Sequence, residues 1–268
     1  MNYSTVKILF LAVFAFSAIV SPSSAFSVDG AIFSEEVSPG QEIVHEMIVS
    51  AGEDELLPNM TAEVVGFAMT EDGANIELLP EDDTELFSAR PFLSVEPTSF
   101  DLESGERRSL NLTGTVPEDV GEGGRYALVT IKTAPKESEK ASVMIITAIQ
   151  VPILLTIKDS DLEMTGEISD LSASMADGNV SVDVTFDNTG NVHYKPFVGA
   201  NLLDEDGEVV ASVAPAETRR MILPTNSRLV KMTLVPDAVL EPGTYTVEAE
   251  VTLDDGTVLD TAETTIEV

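Results

Sequence analysis

Apolar and polar residues alternate along much of this chain with a period of two. The clearest stretch is 180–187, where Val180, Val182, Val184 and Phe186 interleave with Ser181, Asp183, Thr185 and Asp187. Side chains two apart on an extended backbone share a face, so the pattern predicts a strand with one side in a core and the other in water. The chain then turns through Asn188-Thr189-Gly190-Asn191, residue types that tolerate turn dihedrals, and resumes an extended run. Residues 107–115 alternate in the same way, with Leu110 and Leu112 on one face and Asn111 and Thr113 on the other. Phe186 is read as core and the turn after it as local to its own domain.

The same reading predicts strands over 26–33, 42–50, 60–69, 125–132 and 141–151, and in the second half over 153–157, 163–172, 179–187, 192–203, 209–213, 227–235, 244–253 and 258–268. Pro97 divides 92–102 into an extended piece, a turn and a short strand. Acidic 80–85 is expected as an exposed loop, because burying unpaired carboxylates is expensive. Asp177-Gly178, Asp206-Gly207 and Asp255-Gly256 are hairpin signals between alternating runs. No stretch after residue 25 keeps a helical period. Short strands divided by frequent turns predict an all-β chain built as sandwiches.

Residues 1–25 are set apart as a signal peptide: Lys7, an apolar 8–20, a break at Ser21-Pro22 and small residues at Ser23-Ser24-Ala25. The apolar run is shorter than the roughly 20 residues of a membrane span, and no later segment is expected to span a membrane. The remaining length suits two domains, and Pro152 marks the boundary, giving 26–151 and 152–268. The connection is expected to be short and partly packed, since no Gly/Ser-rich linker occurs.

An internal repeat supports two related halves. Val116-Pro117 leads to Gly124-Arg125-Tyr126, and Val235-Pro236 leads to Gly243-Thr244-Tyr245, at an offset of 119 residues from Val116 to Val235. Leu110 matches Leu229, and Phe67 matches Phe186, at the same offset. Tyr126 and Tyr245 are expected to start equivalent strands, each burying its ring while its hydroxyl finds a backbone partner, as in a tyrosine corner.

These features together resemble a two-domain immunoglobulin-like prokaryotic surface protein. The first half resembles exported domains related to the pilus chaperones and the peptidoglycan-binding region of WxL-interacting proteins. It does so through 92–102, Leu102-Glu103-Ser104-Gly105-Glu106, 110–117 and Gly124-Arg125-Tyr126. The second half resembles the domain that follows in such proteins, through 186–191, His193 and Pro196. The resemblance implies two tandem immunoglobulin-like β-sandwiches. The WxL-interacting proteins usually end in a membrane helix and basic tail, and neither is expected from residues 258–268. The pilus chaperones carry a basic pair that grips a subunit carboxylate, and Arg90, Arg107 and Arg108 do not fall in a matching motif.

Composition narrows the chemistry. There are 47 acidic and 14 basic residues, a formal charge of −33. Such a surface repels nucleic acid and anionic lipid. Cysteine is absent, so each domain must hold together by apolar burial. His45 and His193 are the only histidines and fall in different halves, which disfavours a zinc site; no cofactor or metal is expected. Asp204, Asp206 and Glu208 read as an exposed hairpin turn. Asn59, Asn111 and Asn179 begin glycosylation triplets.

The function expected is a non-catalytic extracellular or cell-envelope module, structural or adhesive, whose partner is an envelope protein or polymer. The alternatives are a secreted assembly chaperone for surface subunits and an accessory domain pair of a polymer-degrading enzyme. An exposed unpaired strand edge with two converging basic side chains would favour the chaperone. An aromatic row beside convergent carboxylates would favour the enzyme. His193, Tyr194 and Lys195, beside the turn, are the expected binding edge.

Overall fold

The computed structural model describes residues 26–83, 86–137 and 144–268. The expected signal peptide lies outside the described residues, as do positions 84–85 of the acidic loop and 141–143 of an expected strand.

The first half contributes β1 (Phe26–Asp29), β2 (Phe33–Val37), β3 (Glu42–Ala51), β4 (Leu57–Met69), β5 (Asn75–Leu78), β6 (Leu93–Glu96), β7 (Ser99–Leu102), β8 (Arg107–Thr115), β9 (Gly124–Lys132), β10 (Lys136–Glu137), β11 (Met144–Ile145) and β12 (Ala148–Ile157). One sheet runs β1-β3-β8-β6. The other runs β2-β12-β9-β4-β5, with β7 also on β4, and β10 and β11 form a separate hairpin. Ile43, Met47, Leu110, Leu112, Val129 and Ile131 fill the space between the two sheets.

The second half contributes β13 (Gly166–Ala176), β14 (Asn179–Asn188), β15 (Phe197–Leu203), β16 (Val209–Glu217), β17 (Ser227–Leu234), β18 (Thr244–Thr252) and β19 (Val258–Glu267). Its sheets run β13-β14-β17 and β16-β15-β18-β19. Val180, Val182, Val184 and Phe186 meet Leu202, Val247 and Val251 in a second core. The chain is thus all-β, two tandem immunoglobulin-like sandwiches. Among the described residues no helix is long and apolar enough to cross a membrane.

Three departures from the pattern have physical causes. The run 26–33 is not one strand. It breaks at Gly30, whose φ of 78° is open to glycine, and the chain passes from β1 on one sheet to β2 on the other. Pro152 falls inside β12, opposite Leu128 of β9. β2 pairs with β12 only from Ile153 onward, so one edge of β12 has no neighbour at Pro152 to receive the N–H that proline lacks. Residues 152–157 therefore belong to the first sandwich, and 158–165 connect the two. In the expected strand 192–203 only β15 is extended in a ladder. The carbonyl of Val192 is taken by the Asn188 side chain, and Pro196 has no N–H to give.

Candidate functional site at the domain junction

The strands that lead to the junction are apolar on both faces. On β9 the core side is Ala127, Val129 and Ile131, and the opposite side carries Tyr126 and Leu128. Every residue from Gly124 to Ile131 is buried. Tyr126 and Leu128 join Phe67 and Met69 of β4, Leu154 of β12 and Leu223 of the second domain in a third core. Val65, Phe87 and Met221 close its margin. Burying each large side chain of this kind is worth about 1.5–3 kcal/mol, so the sandwiches share a core and are not merely tethered.

A polar seam surrounds that core. The backbone N–H of His193 donates to the Tyr126 hydroxyl at 2.9 Å, and the hydroxyl lies 3.0 Å from His193 Nδ1. With the imidazole proton on Nε2, the hydroxyl donates to Nδ1 while accepting from the backbone; with it on Nδ1, the hydroxyl accepts from both. Burial pushes the Tyr126 phenol above its ordinary pKa and the His193 imidazole below its own. Gly124 N–H donates to Asn191 O at 2.8 Å, Met69 N–H to Asn226 Oδ1 at 2.7 Å, and Leu229 N–H to Glu71 O at 2.9 Å. Gly123 is close enough to Asn191 that an added Cβ would strike its carbonyl, and its φ is 85°.

The turn after Phe186 organises this seam. Asn188 is 1% exposed. Its amide donates to Val192 O at 3.0 Å and Ile222 O at 2.9 Å, while its oxygen accepts from Gly190 N–H at 2.9 Å. Asn191 Oδ1 accepts from Glu163 N–H and its Nδ2 donates to Asp161 O, both at 2.9 Å, so it holds the 158–165 connection. The turn is not local to the second domain, because the Asn191 carbonyl bonds across to the first.

The expected binding edge is divided. His193 is inside the junction with Tyr126. Tyr194 is buried, with its hydroxyl donating to Thr165 O at 2.5 Å, and its phenol too is raised by burial. Lys195 is exposed and pairs with Glu217 at 3.4 Å. All three border a groove of about 470 Å³ floored by Leu154, Met164, Phe197, Met221 and Leu253. Of the glycosylation candidates, Asn59 and Asn111 are exposed and Asn179 is half-buried. Asp204 Oδ1 accepts from the N–H groups of Asp206 and Glu208, closing its hairpin turn. Among the described residues no three His, Cys, Asp or Glu side chains are placed to hold a metal ion.

The repeat positions occupy different faces. Tyr245 points into the second core and donates to Glu241 O at 3.1 Å, whereas Tyr126 points out of the first core into the junction. Leu110 is fully buried and Leu229 is half-buried on the other face of β17; Val116 is 1% exposed and Val235 62%. Equivalent strands are therefore shifted by one residue, which flips every side chain. Phe67 and Phe186 do not even share a strand position, since β4 pairs with β9 while β14 lies between β13 and β17.

The sequence reading passed over one further cluster. Arg219, Arg220, Arg228 and Lys231 line a groove of about 520 Å³ between β16 and β17, the terminal strands of their sheets. Lys231 pairs with Asp183 at 2.7 Å; among the described residues Arg219, Arg220 and Arg228 have no carboxylate at salt-bridge distance, although Asp72 and Glu217 line the same groove and Asp72 attracts Arg228. Arg228 is 5% exposed, and both burial and the neighbouring Arg220 lower its pKa. The legible signal was the adjacent pair Arg219-Arg220 in so acidic a chain.

No family model matches this chain, and no curated protein does. Solved structures are similar at low identity. They include a class 5 fimbriae chaperone, CfaA (15% identity, TM-score 0.39, 90% of this chain and 98% of that one). The Escherichia coli chaperone DraB is another (13%, TM-score 0.40, 89% and 95%). A third is the Salmonella enterica SafA pilin in complex with the SafB chaperone (12%, TM-score 0.40, 90% and 96%). Similarity of this strength says nothing of activity.

Proposed function

We propose that this chain is an exported, non-catalytic protein-binding module of the cell envelope. Its two sandwiches act as one rigid frame that receives a segment of a partner protein. The observation that carries the reading is the shared core around Tyr126, Leu128 and Leu223, flanked by two open grooves. A joint with its own apolar core and cross-domain hydrogen bonds fixes the angle between the domains. Fixed geometry lowers the ordering cost of binding an extended partner across both.

Between an adhesive or structural role and an assembly chaperone, the groove between β16 and β17 favours the chaperone. It combines the outer edges of two terminal strands, one of them partly taken by Glu71, with clustered basic side chains, the combination that separates these readings. The enzyme-accessory reading is less supported: the groove at Lys195 has Tyr194 and Phe197 near Glu217 and Asp254, two aromatic side chains and no longer row, and the lining of the other groove has no aromatic residue.

The test is a photo-crosslinking residue at Lys195 in the full chain, expressed in its native envelope, with mass spectrometry of the products. Crosslinks to one or a few envelope proteins support the reading. Recovery of soluble cleaved polymer and no crosslinked protein contradicts it.

A further inference from the structure

We infer that the groove between β16 and β17 binds an extended, acidic segment of the partner protein, with its carboxylates against Arg219, Arg220 and Arg228. This rests on the protein-binding reading above and specifies the chemistry of the partner.

Charge sets this groove apart. In a chain of net charge −33, Arg90, Arg107, Arg108, Lys132, Lys195 and Lys231 each pair with a carboxylate. Among the described residues Arg125 and Lys158 also lack such a pair, but each stands apart, whereas Arg219, Arg220 and Arg228 lie together in one groove. Their closeness is visible at Gly73, where an added Cβ would collide with the Arg228 guanidinium and lie 3.1 Å from Arg220 Cδ. Arg228 donates to Met221 O at 3.0 Å and Glu71 O at 3.4 Å, but its buried Nε has no partner. Asp72 and Glu217 also line the groove, but Arg219, Arg220, Arg228 and Lys231 outnumber them, so the lining keeps a net positive charge that a bound carboxylate would offset.

Its shape suits an extended chain. The groove is floored by Val198, Val213, Val230 and Met232. Along β17, Leu229 N–H points away from β14 and already donates to Glu71 O. Lys231 and Thr233 follow on that same outer edge, where no strand lies. An added strand can continue the line begun by Glu71, placing alternate side chains on the apolar floor and against the arginines. An anionic polysaccharide would use the charge but not the strand edge. A second copy of this chain is repelled by its own net charge.

The experiment is fluorescence anisotropy of the chain without residues 1–25 against a labelled, end-blocked peptide. The peptide has about ten residues of alternating Val and Glu, the length of a long strand. Its counterpart has Gln for every Glu, and a polygalacturonate oligosaccharide serves as the third probe. The Glu peptide is expected to bind, more weakly at high salt. The Gln peptide should bind at least about tenfold more weakly, as charge-assisted bonds to arginine require. The R219Q/R220Q double variant, whose changed side chains are both exposed, should keep its unfolding midpoint and lose a similar factor for the Glu peptide. Equal binding of the two peptides would overturn the charge recognition and leave peptide uptake standing. Binding of neither peptide would overturn both at this groove. Binding of the oligosaccharide without the Glu peptide would overturn the choice of a protein ligand.

Discussion

The hydroxyl of Tyr126, from the first sandwich, accepts the backbone N–H of His193, from the second, and lies 3.0 Å from that residue's Nδ1. One phenol oxygen therefore satisfies two groups across the domain junction. Tyr126→Phe keeps the ring in the third core and leaves both His193 groups without a partner. The expected cost is about 1–3 kcal/mol, the penalty of an unsatisfied buried polar group. Urea denaturation measures it as a lower midpoint, and an unchanged midpoint would show that water replaces the hydroxyl.

The same pair predicts a pH dependence. Burial lowers the His193 pKa below its ordinary value of 6.5. As pH falls below that value, the unfolded chain takes up the proton before the folded one. The stability linked to His193 is complete above pH 6.5, declines below it, and levels off beneath the folded pKa. Denaturation of the wild type and His193→Gln between about pH 8 and pH 5 should show this slope in the wild type alone. Parallel curves would remove His193 as its source.

Leu128→Ala opens a cavity between the domains while leaving the core face of β9 intact. A loss of about 2–5 kcal/mol is expected, as for buried leucines elsewhere. Small-angle scattering should report a larger radius of gyration, because the lost contact is between sandwiches. A loss of stability with unchanged scattering would place the damage inside the first domain.

Asn188→Asp should be worse than Asn188→Ala. The alanine removes one acceptor and two donated bonds. The aspartate sets a carboxylate against the carbonyl oxygens of Val192 and Ile222 that the amide now satisfies. Thermal unfolding orders the variants, with wild type highest and aspartate lowest.

The sandwiches were legible in the sequence where one strand face meets water. β14 and β8 alternate cleanly, and their core residues follow from the pattern. A short, partly packed connection was legible, but the core shared between the domains was not, although its signal was present. The run Tyr126-Ala127-Leu128-Val129 and the run from Val151 to Leu155 do not alternate, because β9 and β12 are covered on both faces. A continuous apolar run inside an otherwise alternating protein marks the face that another domain covers. The repeat misled for a related reason. A one-residue shift is invisible to an alignment of tyrosines, yet it sends Tyr245 into a core and Tyr126 into a joint. The arginine groove draws Arg219 and Arg220 from a loop and Arg228 and Lys231 from β17, so only folding brings it together.

The Tyr126–His193 joint and its apolar core make the two sandwiches one rigid body. Residual dipolar couplings, measured by nuclear magnetic resonance for backbone amides of both domains in the full chain, test it most directly. A single alignment tensor is expected to fit both sets of couplings. Two tensors differing in magnitude or orientation would mean that the domains move independently, and would contradict it.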